Sequence, residues 1–123
     1  MSLFDSNIII EAGQAGGEVL RQLVAEEDPT TSAICYIEVL GYHRLTEKDR
    51  ESLEEFFSAI RVLPLSHEVI EQAVKLRQIR KMSLGDSLVA GTALVHRLPL
   101  VTRNTRHFAW INGLTLIDPA ANP

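Results

Sequence analysis

The chain has 123 residues, 46% of them hydrophobic and 23% charged, with a net charge of −4, which describes one compact domain spanning 1–123 and large enough to bury a real core. Its apolar runs fall well short of the roughly 18 residues that a membrane span needs, and the opening "MSLFDSNIII" lacks the basic lead of a secretory signal. The single Cys35 can form no internal disulfide, so a cytoplasmic, reducing setting is expected.

In chain order, "SLF" reads as a short strand with Asp5 at its carboxyl end, and "DSNIII" turns into a helix. Gly13, Gly16 and Gly17 interrupt the pattern before a helix at about 17–26. Asp28-Pro29 marks a turn, and "TTSA" leads from a short strand into a helix with Ser32 as N-cap, running to about Leu45. Thr46 followed by Asp49 is a capping signal for a helix through about Ile60. "RVLPL" is a short strand placed at a sheet edge by Pro64. Ser66 caps a helix of roughly 67–81, and Ser83 or Gly85 opens the one bearing Asp86. "LPLVT" is a buried strand, "RNTRHFAWI" a loop with a short helix, and "LTLID" a last strand. Short apolar strands alternating with helices imply an α/β fold, a mainly parallel sheet flanked by helices. Ligands of such folds gather beyond the carboxyl ends of the strands, where Asp5 and Asn104 fall.

Three acids stand where acids are unwelcome. Asp5 follows Leu3 and Phe4. In helical projection Glu38 shares a stripe with Ile34, Ile37, Gly41 and Leu45, and Asp86 shares one with Val89, Ala90 and Ala93. Burying unpaired carboxylates is costly, and several at one point repel one another. A hard divalent cation such as Mg²⁺ or Mn²⁺ is the usual remedy for an all-oxygen set. Phosphodiester hydrolysis is chemistry such an ion supports, by acidifying a bound water and stabilising charge on the phosphate.

The blocks "FDSNIII", "SAICYIEVLGY", "SLGDSLVAGTAL" and "LVTRNTRHF" together resemble the signature blocks of the PIN domain, in particular its VapC-type toxin nucleases. The resemblance covers nearly the whole chain. It implies a three-layer α/β/α fold and an acidic pocket holding one or two Mg²⁺ or Mn²⁺ ions. It assigns catalysis to Asp5, Glu38, Asp86 and Asn104, with the first three as metal ligands and Asn104 as a direct or water-mediated one. An amide at 104, where the family often has Asp, offers a neutral oxygen only, which puts a second ion in doubt. The implied activity is a toxin endoribonuclease cutting tRNA, rRNA or mRNA, which forms a homodimer and is inhibited by a small VapB-type antitoxin. Tyr36, Tyr42, Phe56 and Phe57 are positions that antitoxin contacts or simple core packing would use.

Around these blocks, Ser6 is expected to bond a carboxylate or a metal-held water, and Thr102 to orient a neighbour or touch substrate. Arg103 and Arg106 flank Asn104 as phosphate partners. Asn7 reads as fixing the strand-to-helix turn, and His107 as a surface or near-site histidine. Lys75, Arg77, Arg80 and Lys81 read as a solvated helix face. No Cys/His spacing resembles a zinc site, and no Gly-rich phosphate loop is present. Two other readings compete: a catalytically weak PIN-like module that binds RNA or protein, suggested by Asn104 and the acidic balance, and a metal-dependent phosphatase or DNA nuclease.

Overall fold

A computed structural model describes residues 1–14, 21, 22, 25 and 28–119. The expected helix at 17–26 lies almost wholly outside them. Five short strands are seen among the described residues: β1 (Ser2–Phe4), β2 (Pro29–Ser32), β3 (Arg61–Leu63), β4 (Leu100–Val101) and β5 (Leu116–Ile117). All pair in parallel, in the order β3-β2-β1-β4-β5. The helices are α1 (Ser6–Ala12), α2 (Ala33–Leu40), α3 (Glu47–Ser58), α4 (His67–Ile79), α5 (Leu84–His96) and α6 (Thr105–Phe108). They flank the sheet in the expected α/β/α arrangement. Parallel strands need crossovers, and helices supply them. No described helix is long and apolar enough to cross a membrane.

The sequence signals act locally as physics requires. Ser32, Thr46, Ser66 and Ser83 each accept a hydrogen bond from a backbone N–H in the first turn of the helix that follows, satisfying an otherwise orphan donor. Ser83, not Gly85, is therefore the cap of α5. β3 lies at the sheet edge, as Pro64 suggested. β1 and β4 supply the apolar centre of the sheet: Leu3, Phe4, Leu100 and Val101 are buried and join Ile8, Ile9, Val89, Ala90 and Phe108 in the main core, while β2 buries Thr30, Thr31 and Ser32.

Helix α2 departs from expectation. It stops at Leu40, where Gly41 caps it by donating to the Ile37 carbonyl, and does not reach Leu45. Its buried face is Cys35 and Val39, while Ile37 is 57% exposed. Glu38 therefore projects from the rim of the helix and not from its buried stripe. A helix of eight residues offers two plausible apolar faces, and docking on the sheet selects between them.

The strand order decides where a site can form. From β1 the chain winds one way through β2 to β3, then crosses back to place β4 on the other side of β1. Loops leaving β1 and β4 diverge, so a crevice opens at the carboxyl ends of these two strands. Asp5 directly follows one strand and Thr102 the other.

Candidate active site

Asp5 is only 6% exposed. It is also the N-cap of α1: its Oδ1 accepts from the Ser6 backbone N–H at 2.8 Å. Its Oδ2 accepts from the Thr102 hydroxyl, also at 2.8 Å. Burial pushes the Asp5 carboxyl above its ordinary value, partly offset by these two bonds and raised further by the charge of Asp86. Thr102 is fully buried, and its hydroxyl oxygen also lies 3.0 Å from the Asn104 backbone N–H and 3.4 Å from Asn7 Nδ2. Asn7 Oδ1 accepts from the Arg103 N–H at 3.3 Å, so Asn7 ties α1 to the end of β4. One threonine hydroxyl thus fixes both strand ends around the acid.

Glu38 reaches the same crevice from α2, and its Oε1 accepts from Ser6 Oγ at 3.1 Å. Its carboxyl is raised by burial and then by the charges of Asp5 and Asp86, with the Ser6 bond opposing. Asp86, in the first turn of α5, has a side chain 25% exposed, with Oδ2 3.1 Å from His107 Nδ1. The three acids feel one another, which places them in a common field. Each is nonetheless turned to a different donor. Among the described residues no three acidic, histidine or cysteine side chains converge closely enough to hold one ion.

Two further residues of the motif blocks shape the site, Gly85, expected only as a possible helix opener, and His107, expected as a surface or near-site histidine. Gly85 is the first: a Cβ there would lie 2.5 Å from Glu38 Oε2, so its bare backbone lets that carboxylate lie against the start of α5. The close approach depends on tertiary docking, and a lone glycine in a sequence does not announce it. His107 is the second, brought onto Asp86 by the short turn of α6. Asn104 is exposed at the N-cap of α6, and its side chain makes no capping bond. Arg103 is committed to Glu11 through two bonds of 2.7 and 3.1 Å and approaches Asp118 at 3.7 Å. Arg106 is exposed and lines a cleft beside Asp86.

The donors are of the type a hard divalent ion takes, although their side chains do not converge on one point as they stand. The three acids offer only oxygen, and none of them pairs with a described lysine or arginine. Among the described residues, the one side-chain nitrogen hydrogen-bonded to any of them is His107 Nδ1, 3.1 Å from Asp86 Oδ2.

A sequence model of the PIN domain matches residues 2–113. A toxin-antitoxin complex from Klebsiella pneumoniae contains a chain similar to this one, with 30% identity and a TM-score of 0.80 over 97% of this chain and 98% of that one. DNA-bound VapBC from Salmonella typhimurium is similar in fold, with 22% identity and a TM-score of 0.83 over 96% and 98% of the two chains. A sarcin-ricin loop cleaving VapC toxin of Mycobacterium tuberculosis shares the fold at 15% identity and a TM-score of 0.66, over 84% and 88%. No match was found among curated protein sequences.

Proposed function

This chain belongs to the PIN domain family, and from that premise we propose that it is a divalent-metal-dependent endoribonuclease, the VapC-type toxin of a toxin–antitoxin pair. The observation that carries this reading is the crevice between β1 and β4, where a buried Asp5 shares its field with Glu38 and Asp86 and no described lysine or arginine pairs with any of them.

Asp5, Glu38 and Asp86 would hold one Mg²⁺ or Mn²⁺ once Glu38 and Asp86 turn from their present partners toward it, with the Asn104 amide available directly or through water. The bound ion would supply an activated water and Lewis-acid stabilisation of the phosphate. The protein residues do the rest. Thr102 and the Ser6 N–H each occupy one lone pair of Asp5 and aim the others into the crevice. Ser6 Oγ holds Glu38 Oε1, which would leave Oε2 available to the ion or, as a base, to a proton. His107 orients Asp86, and Arg106 meets substrate phosphate. Arg103, held by Glu11, steadies the β4 end in this reading.

A cytoplasmic homodimer with a small antitoxin completes the proposal. A cleft of about 330 Å³ lined by Ile10, Val39, Tyr42 and Leu45 has Glu38 in its wall, so an apolar antitoxin segment seated there would reach the site. Tyr42 is 53% exposed and available for it, whereas Phe57 is buried and serves the core.

The test is incubation of purified protein with tRNA, rRNA, mRNA and single-stranded DNA in Mg²⁺, Mn²⁺ or EDTA. RNA cleavage should need the metal, and Asp5→Asn should reduce it about 10³-fold, equivalent to about 4 kcal/mol of transition-state stabilisation. RNA binding without cleavage, or a preference for DNA or phosphomonoesters, would overturn the assignment.

A further inference from the structure

Next to Asp86 a cleft of about 650 Å³ opens between the end of α4, the start of α5 and the residues around α6. Arg77, Arg80, Lys81, Arg106, His107 and Trp110 line it, and among the described residues Asp86 is its only acidic wall. Four of the chain's twelve lysines and arginines thus converge on one cleft of a protein whose net charge is −4. None of the four forms an ion pair with a described carboxylate, in contrast to Arg50 and Arg103, which are both neutralised on the surface. Repulsion among cations makes such an arrangement unfavourable without an anion to receive.

The aromatic component is equally specific. Trp110 is the only tryptophan in the chain. Its indole N–H donates to the His107 carbonyl at 3.0 Å, and the ring packs partly on the main core, so it is held in place. The Arg80 guanidinium lies 5.5 Å from the centre of the ring. A fixed indole overlaid by a guanidinium is a platform on which an unpaired base can stack, while neighbouring cations follow the backbone phosphates.

We propose that this cleft is the track for single-stranded RNA leading away from the scissile phosphate, with a base stacked on the Arg80–Trp110 pair and phosphates on Arg77, Lys81 and Arg106. The proposal rests on the nuclease reading for its choice of RNA. Asp86 lines the cleft and is also one of the three site acids, so the cleft and the site share a wall.

Because Trp110 is the sole indole, its fluorescence reports the cleft directly. Full-length Asp5→Asn protein in EDTA, titrated with a single-stranded RNA of about ten nucleotides, should show quenched emission. Duplex RNA, whose bases are already stacked, should quench far less. Arg80→Gln and Arg106→Gln should each weaken binding roughly tenfold and reduce the slope of log affinity against log salt by about 0.7. In the active protein the same changes should raise KM and leave kcat nearly unaltered. Trp110→Phe should retain binding, and an unchanged unfolding midpoint in each variant excludes loss of fold. Unaltered emission and KM, in a protein whose cleavage Asp5→Asn still abolishes, would overturn the track and leave the nuclease reading standing. Quenching by RNA with no cleavage in any metal would support the track and overturn the nuclease. Equal quenching by duplex RNA, or stronger quenching by a poly-glutamate peptide, would overturn it in favour of a groove electrostatic fit or an acidic protein segment.

Discussion

At the scale of single residues, the site is a matter of how three carboxylates are kept apart yet near. Thr102, Ser6 and His107 each take one of them, and Gly85 makes room for the second. Replacing Gly85 with alanine should displace Glu38, because the clashing atom is the tip of a movable side chain and the backbone can stay where it is. The expected outcome is a loss of about tenfold in Mg²⁺ or Mn²⁺ affinity, measured by calorimetry. The unfolding midpoint should hold or rise, since alanine favours a helix over glycine by up to about 1 kcal/mol. A fall in stability with unchanged affinity would show that Gly85 serves packing only. Asp5 is legible in the sequence because a charge among apolar neighbours is conspicuous, whereas Glu38, expected on a buried stripe, stands at the exposed rim of α2. The partner of Asp5 is less legible: Thr102 lies 97 residues from it, and only the pairing of β1 with β4 brings them together.

At the scale of elements, another glycine has the opposite role. Gly91 lies in α5 where that helix crosses α4, and a Cβ there would come within 2.9 Å of the Val69 carbonyl and 3.4 Å of the Ala73 nitrogen. Here the obstacle is backbone, so the helices must part. Gly91→Ala should destabilise the fold by about 1–3 kcal/mol in urea unfolding, with metal affinity per folded molecule retained. The same exchange of residue thus moves function at 85 and stability at 91. Element type and the cap residues could be read from the chain because each depends on neighbours within a turn. Ser32, Thr46, Ser66 and Ser83 all cap the helices expected of them. The face that α2 presents could not be read this way. Ile34 with Ile37 and Cys35 with Val39 are both acceptable stripes over eight residues, and the sheet beneath accepts the second. Likewise, Arg103 and Arg106 look alike beside Asn104 in the sequence, but only Arg103 meets a glutamate contributed by α1.

For the molecule as a whole, the acidic crevice ties stability to pH and, in the proposed reading, to metal. Asp5 and Glu38 have ordinary carboxyl values of 3.8 and 4.5, and both are raised in the folded chain. A group raised by folding favours the native state most below its unfolded value, and that contribution is lost as pH climbs through the folded one. The gap in melting temperature between Asp5→Asn and the parent, without metal, should therefore be small near pH 4 and widen in favour of the variant toward pH 7. A gap that narrows over that range would mean that Asp5 is stabilised by its charge. Saturating divalent ion should reverse the order, adding about 2.7 kcal/mol to the parent at a hundredfold excess over its dissociation constant.

In the proposed toxin reading, the strand order has a further consequence. Asp5 emerges early from the ribosome, but the hydroxyl that orients it belongs to Thr102, and the strand that seats both is nearly the last to be made. A nascent chain paused before β4 carries Asp5, Glu38 and Asp86 with nothing to gather them around a phosphate. For the proposed toxin, synthesis itself would thus delay the onset of activity, leaving an interval in which the proposed inhibitor, if already present, would meet its target.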